Sequence, residues 1–399
     1  MKHRKLIATF LIVLFPLIFS GCWDKYEIER KVFVSTIGID VGEDIDKEQK
    51  IKDENKEGAY SARNIKKLKI TYGFPDISHF SPSQAVIEKD GTITVSTYSM
   101  EGAFAEANNK SSRSIYLGHA RLILINQELF KYPDTFREIV DYIRRQSNLN
   151  RKIYVVLTDG PVEQFMKAEF DIDKHIQTYI SGILENNQSF ESAVEVSLND
   201  FLTSLAEKGN AILPILKMDR ENKEIKLSGI GVMENYEFKG QLNDAETTTV
   251  EVLRGKAKKV VKVVNLEGHP YDYEIERVRR KIEVSENDGK VNINIYLKLS
   301  GAIKEGYKER PLTLEEIDEL ESIFNNTIAE EGTKIMKSIQ QNIGIDIVGI
   351  DDYIRKFKPS IWEKFGENWS EVYSNSKINI EVDTCLLYTS PSPRDTERS

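Results

Sequence analysis

The sequence predicts an α+β protein in three units: a mixed α/β N-terminal domain, a small β-rich middle domain and a C-terminal sheet with long helices on one face. Three observations carry this. Strand-like and helix-like patterns alternate from Lys31 to about Met166, as α/β folds require. Between Asn222 and Val284 almost every apolar pattern has the period of a strand. Then Val291-Asn-Ile-Asn-Ile-Tyr-Leu-Lys-Leu299 alternates strictly and is followed by a long run of helical spacing. The 399 residues suffice for two or three domains. The expected boundaries are 22–220, 221–288 and 289–384, with residues 1–21 and 385–399 standing apart.

The first 21 residues set the compartment. Met1-Lys-His-Arg-Lys5 is a positive start, and Leu6 to Ser20 is an apolar run broken only by Thr9, Pro16 and Ser20. A bilayer core of about 30 Å needs roughly 20 apolar residues, so the run is short for a span and fits a signal peptide. Phe19-Ser20-Gly21-Cys22 resembles a bacterial lipobox, with Phe19 where Leu is usual. That resemblance implies cleavage before Cys22 and attachment of fatty-acyl chains such as palmitate to the chain at Cys22. Trp23 is then expected at headgroup level.

Elements follow in order. Lys31 to Asp40 reads as a first strand, and Val41 to Gly58 as a solvated charged insertion. Leu68–Phe74 and Gly91–Tyr98 are strands, the latter β-branched and alternating. A helix is expected over 100–109. Leu122 to Ile125 is continuously apolar, as in a strand buried on both faces. Phe136, Ile139, Val140 and Ile143 lie on one side of a helix over 134–144. Lys152–Leu157 is another buried strand, and Pro161 opens a short helix. Two more helices are expected at 175–184 and 198–208.

In the middle unit, a strand ending at Gly231-Val-Met233 turns at Glu234-Asn235 into Tyr236-Glu-Phe238. Gly240-Gln-Leu-Asn243 reads as an exposed contact loop. Strands are expected at 256–264 and 273–284. Lys256, Lys258, Lys259 and Lys262 read as one wet strand edge. In the last unit, Thr313-Leu-Glu-Glu316 forms a capping box. The long helix behind it carries Ile317, Leu320, Phe324, Ile328, Ile335, Ile339 and Ile343, with a bend expected at Gly332. Pro359 ends a second helix that begins near Gly349, and Lys377–Thr384 is a final strand. From Cys385 the pattern collapses into Ser-Pro-Ser-Pro, and this tail resembles a translated adapter of DNA library preparation.

Composition excludes several classes of function. Hydrophobic residues at 40% and charged residues at 30% describe a soluble body and not a polytopic membrane protein. The formal charge is −9, and loss of Lys2, Arg4 and Lys5 with residues 1–21 makes it −12. Such a body repels phosphate backbones and anionic lipid, so nucleic acid is not an expected partner and the membrane hold falls to covalent lipid. Two cysteines, Cys22 and Cys385, and five scattered histidines build no zinc or disulfide framework. Neither a catalytic constellation nor a cofactor motif is present, so catalytic, cofactor and metal sites are expected to be none. His119 at a strand entrance reads as structural, and Asp171, Asp173 and His175 as a solvated helix start.

One set of short motifs runs in order along the chain: Gly21-Cys-Trp-Asp24 with Glu27-Ile-Glu29; Ile37-Gly-Ile-Asp40; Leu117-Gly-His119; Gly229-Ile-Gly-Val232; Lys239-Gly-Gln-Leu-Asn243 with Glu246; and Asp346-Ile-Val-Gly349, followed by Trp362 and Trp369. In these residues the chain resembles the Ger(x)C family, the C subunit of bacterial spore germinant receptors. The long charged insertion after Asp40 departs from the family, as does the finish of the last strand. The resemblance implies a non-enzymatic lipoprotein of the spore inner membrane, on its outer face. It also implies integral-membrane partners: an A-type and a transporter-like B-type subunit. The alternative is a lipid-anchored solute-binding protein of a transporter, which requires two similar lobes around a deep cleft.

Overall fold

The computed structural model describes residues 30–47, 65–75, 90–168, 173, 175–190, 194–219, 224–287, 289–305 and 312–387. Two large sheets organise it. The first has eight strands: β2 (Thr36–Val41), β3 (Leu68–Pro75), β4 (Asp90–Thr97), β6 (Leu122–Asn126), β7 (Tyr154–Thr158), β8 (Asn210–Asp219), β9 (Glu224–Glu234) and β10 (Glu237–Leu242). Their order is β10-β9-β8-β7-β6-β2-β3-β4. The centre, β2-β6-β7-β8, is parallel, and both flanks are antiparallel. The short strands β1 (Lys31–Phe33) and β5 (Ser114–Tyr116) pair apart from it, in parallel. The single strand expected over 31–40 is therefore two, because Val34 and Ser35 bond to Tyr116 and Gly73 and redirect the chain between sheets.

Helices cover both faces of the eight-stranded sheet. On one side lie α1 (Met100–Lys110), α2 (Pro133–Arg145) and α5 (Leu198–Lys208); on the other lie α3 (Val162–Met166) and α4 (Ile176–Phe190). The central strand β6 shows the double burial that its sequence demands. Ile123 and Ile125 enter the core with Phe136 and Phe201, while Leu122 and Leu124 enter the opposite core with Val162, Phe165 and Ile180. Ser197 caps α5 by accepting from Asp200 N, and Gly209 ends it in the left-handed region at φ 70°.

The second sheet has four strands in the order β11 (Val260–Leu266), β12 (His269–Asn287), β13 (Lys290–Glu305) and β14 (Lys377–Leu386). β11 to β13 are antiparallel neighbours, and β14 joins β13 in parallel. α6 (Asp244–Leu253) links the two sheets. α7 (Leu314–Ser338) packs Leu320, Phe324 and Ile328 into one core with Ile293, Ile295 and Leu297, and the Phe324 ring lies 5.0 Å from that of Tyr273. α8 (Ile350–Phe357), α9 (Pro359–Phe365) and α10 (Trp369–Asn375) complete the same unit. No helix among the described residues is long and apolar enough to cross a membrane.

The strands expected to form a middle unit do not form a sheet of their own. β9 and β10 pair onto β8 and close one edge of the first sheet, whereas β11 and β12 open the second. Strand pairing is long-range, and nothing in a strand's own pattern names its partner. Gly240-Gln-Leu-Asn243 is likewise no loop: its first three residues belong to β10 and Asn243 caps α6. α7 runs unbroken through Gly332. A Cβ there would stand 3.0 Å from Ile380 Cδ1 and 3.3 Å from Leu253 Cδ2, so the glycine lets α7 approach β14 and α6. β14 also continues two residues past Thr384, pairing Cys385 with Ser300 and Leu386 with Gly301.

Candidate functional site

Among the described residues, several that carry the family pattern sit at joints of the fold. Asp40, next to last in β2, is almost fully buried, and its carboxylate accepts from Asn126 Nδ2 at 3.0 Å, Val162 N at 2.8 Å and Glu163 N at 3.2 Å. It caps α3 from another strand. Burial pushes this carboxyl above its ordinary value, against the pull of those three donors and of Lys69. Gly38, two residues earlier, admits α3 onto the sheet: a Cβ would stand 2.6 Å from Val162 Cγ1 and 2.8 Å from Met166 Sδ. His119 packs its ring 4.8 Å from Phe33 and 5.8 Å from Tyr116, which is a structural placement. His175 Nδ1 lies 2.7 Å from Asp90 Oδ1, and Ile176 N donates to Asp90 Oδ2 at the start of α4. Asp171 lies outside the described residues.

A second joint ties α6 to the first sheet. At Gly229, φ is +105° and a Cβ would meet Leu242 O at 1.9 Å, so only glycine lets β9 pass the end of β10. Immediately after, Asn243 accepts from Glu246 N at 3.0 Å while Glu246 accepts from Asn243 N at 2.9 Å. This is a reciprocal capping box, and it fixes where α6 starts.

The third joint is Asp346-Ile-Val-Gly349. Asp346, 6% exposed, accepts with Oδ1 from Val348 N (3.0 Å) and Gly349 N (2.9 Å), and with Oδ2 from Asp351 N (2.6 Å). Gly349 takes φ 81° to enter α8. Across from it, Arg280 of β12 donates to Val348 O at 2.8 Å and Leu253 O at 3.2 Å, clasping the end of α6 to the start of α8. Burial lowers the Arg280 pKa from its ordinary value. Trp362 and Trp369 pack 6.2 Å apart, and Trp369 lies 6.2 Å from Tyr373.

Between the two sheets lies an open cleft of about 820 Å³. Glu195 and Asp200 line one side; Arg254, Lys256, Glu276 and Asp352 line the other. Arg254 is held by Glu251 at 2.7 Å. Lys256 sits here and not on a wet strand edge, and its ammonium is held below the ordinary lysine value by Arg254 first and by burial second. Lys262 is drawn inward to Glu331. The cleft mixes both signs of charge, as a wet seam between bodies does. Among the described residues no group of three or more His, Cys, Asp or Glu is placed to hold a metal ion. Cys22 lies outside the described residues; Cys385 is a free, exposed thiol on β14. Sequence reasoning named Asp40, Gly229, Asn243 and Asp346 but not Arg280, because nothing local distinguishes it from Arg277, Arg279 and Lys281 in the same basic strand.

Comparison with known proteins gives one consistent answer. A family model described as "Spore germination protein N-terminal domain" matches residues 24–218, and one described as "Spore germination B3/ GerAC like, C-terminal" matches residues 228–389. The chain is 21% identical to spore germination protein YndF of Bacillus subtilis (strain 168), over 96% of this chain and 97% of that one. It is 23% identical to spore germination protein A3 of the same organism, over 93% and 94%. Spore germination protein B3, also from that organism, is 21% identical over 96% and 98%. The crystal structure of the GerBC protein is similar in fold, with a TM-score of 0.58 at 18% identity, covering 80% of this chain and 94% of that one. With both halves matched in order by family models, the chain belongs to the Ger(x)C family of spore germination proteins.

Proposed function

We propose that this chain is the C subunit of a nutrient germinant receptor, required for spores to germinate in response to small molecules. In this reading acyl chains on Cys22 hold it to the outer face of the spore inner membrane, and it acts without catalysis. Its partners are an A-type integral-membrane subunit and a transporter-like B-type subunit. The single observation that carries the proposal is family membership along nearly the whole chain behind the run Phe19-Ser-Gly-Cys22. The geometry supports a scaffolding role. Asp40, Gly229, Asn243 and Asp346 spend their side chains or their conformational freedom on joints between elements. The transporter-type alternative is disfavoured by the unlikeness of the two sheets, one of eight strands and one of four.

The acidic body, at −12 once Lys2, Arg4 and Lys5 leave with residues 1–21, has no general attraction to anionic lipid, so its membrane residence rests on the acyl chains. Cys22→Ala is expected to yield an uncleaved precursor or a soluble body, and to cut the germination response because the subunit is no longer concentrated beside its partners. Membrane fractionation with mass spectrometry of the N-terminal peptide reads this. An unmodified Cys22 in the wild type, or full membrane retention of the variant in cells lacking the partner subunits, overturns the anchor.

A further inference from the structure

One corner of the acidic body is basic and apolar at once. α8 buries Ile350 and Ile354, and the same stripe carries on to Phe357, which overhangs the body and is 66% exposed. The ring touches Tyr353, 5.1 Å away, and is otherwise offered to solvent. The run Arg355-Lys-Phe-Lys-Pro-Ser360, which turns from α8 into α9, is exposed throughout. Its cations differ in their ties. Arg355 is bound to Asp352 at 2.9 Å and reaches Glu207 at 3.7 Å, and nearby Lys364 is bound to Glu286. Lys356 and Lys358 form no ion pair among the described residues, although Lys358 adds to the field on Glu283, whose own partner is Lys281. A projecting phenylalanine between two unpaired lysines therefore stands on a chain whose formal charge is −9.

The shape selects the occupant. A peptide partner needs a groove or a free strand edge; Lys356 and Phe357 border only an open recess of about 320 Å³, and at 66% exposure the Phe357 ring stands largely outside it. A planar interface with anionic headgroups over hydrocarbon accepts such a corner, because the ring finds the headgroup boundary while the ammonium groups stay among the phosphates. We propose that the corner from Arg355 to Ser360 is a second, weaker contact with an anionic bilayer, which orients the tethered body against the membrane. This rests on the reading that Cys22 keeps the chain at a membrane. The anchor supplies retention and the corner supplies orientation, since two lysines and one ring give only marginal binding on their own.

The test separates the two ideas by replacing the native anchor. The chain from residue 23, carrying an N-terminal histidine tag, is tethered through nickel-chelating lipid to vesicles of phosphatidylcholine alone or mixed with phosphatidylglycerol. Hydrogen exchange of the peptide spanning residues 353–360 is then compared. Slower exchange by about 5-fold or more is expected on the anionic vesicles only, each lysine near such a surface counting for roughly 5-fold in occupancy. The double variant Lys356→Glu, Lys358→Glu and the variant Phe357→Ser should each lose that protection while remaining tethered and folded. Equal exchange on both lipids, or protection that survives in both variants, overturns the proposal, as does protection that appears only when partner subunits are present. An unmodified Cys22 in cells would overturn the anchor instead, and would leave this result standing.

Discussion

Replacing Asp346 tests whether the joint between α6, β12 and α8 holds the C-terminal unit together. Asp346→Ala leaves three backbone donors, on Val348, Gly349 and Asp351, without their carboxylate acceptor. Val348 and Asp351 are buried, so water does not readily replace what is lost. An orphaned buried donor costs about 1–3 kcal/mol, which for two buried donors and one partly exposed gives roughly 3–6 kcal/mol. Asp346→Asn keeps an acceptor oxygen for the pair on Val348 and Gly349 and loses only the Asp351 bond, for about 1–2 kcal/mol. Urea unfolding followed by tryptophan fluorescence reads this unit, because Trp362 and Trp369 both pack within it. The expected order is wild type, Asn, then Ala, with midpoints shifted at constant slope. An Ala variant within 1 kcal/mol of wild type, or an Asn variant as unstable as Ala, would refute the view that this carboxylate organises the joint.

Three further outcomes follow from the same contacts. Phe324, with no exposed surface and its ring against Tyr273, should cost about 3–5 kcal/mol on truncation to Ala, read in the same urea assay; an unshifted transition would mean that α7 does not pack as described. Asn243→Ala removes the cap of α6 and should cost about 1 kcal/mol, whereas Gln241→Ala on the exposed side of β10 should stay within about 0.5 kcal/mol; equal effects would argue against the capping box. Glu163 is held below its ordinary 4.5 first by the hydrogen bond from Lys167 and then by that from Lys69. Its contribution is therefore present above that value and lost as the pH falls through the lower folded value. The stability gap between wild type and Glu163→Gln should be full near pH 6 and close progressively below pH 4.5, and a gap that widens on acidification would reverse the sign.

Where the sequence was legible, the deciding information was local. Double burial of β6 follows from four consecutive apolar residues, and the start of α7 from Thr313 and Glu316, which do form their reciprocal bonds. The stripe from Leu320 to Ile339 is buried, with Ile317 and Ile343 half-buried at its ends. β8 is not legible in the sequence, because Pro214 and a register shift beside it interrupt any alternation. α6 was hidden by its run of three threonines, poor helix formers, although Asn243 with Glu246 offered a capping signal. The split of residues 221–288 between two sheets lies in partner choice, which no local pattern encodes. The site divides in the same way. Asp40 and Asp346 drew attention as residues, but the role of Asp40 depends on amides at Val162 and Glu163 more than a hundred positions away.

The parallel pairing of β14 with β13 has a consequence for how the protein is made. Roughly 80 residues separate the end of β13 from the end of β14, and at ordinary synthesis rates they take about 4–16 s to emerge. Throughout that interval β13 presents an unpaired edge, and from its own emergence until that of Ile380 the α7 surface around Gly332 lacks its β14 cover. An open strand edge beside an apolar helix face invites association between nascent chains. The second sheet is thus the late and vulnerable step of biogenesis, and slow translation through residues 306–376 should lower the yield of folded protein more than slow translation through the first sheet.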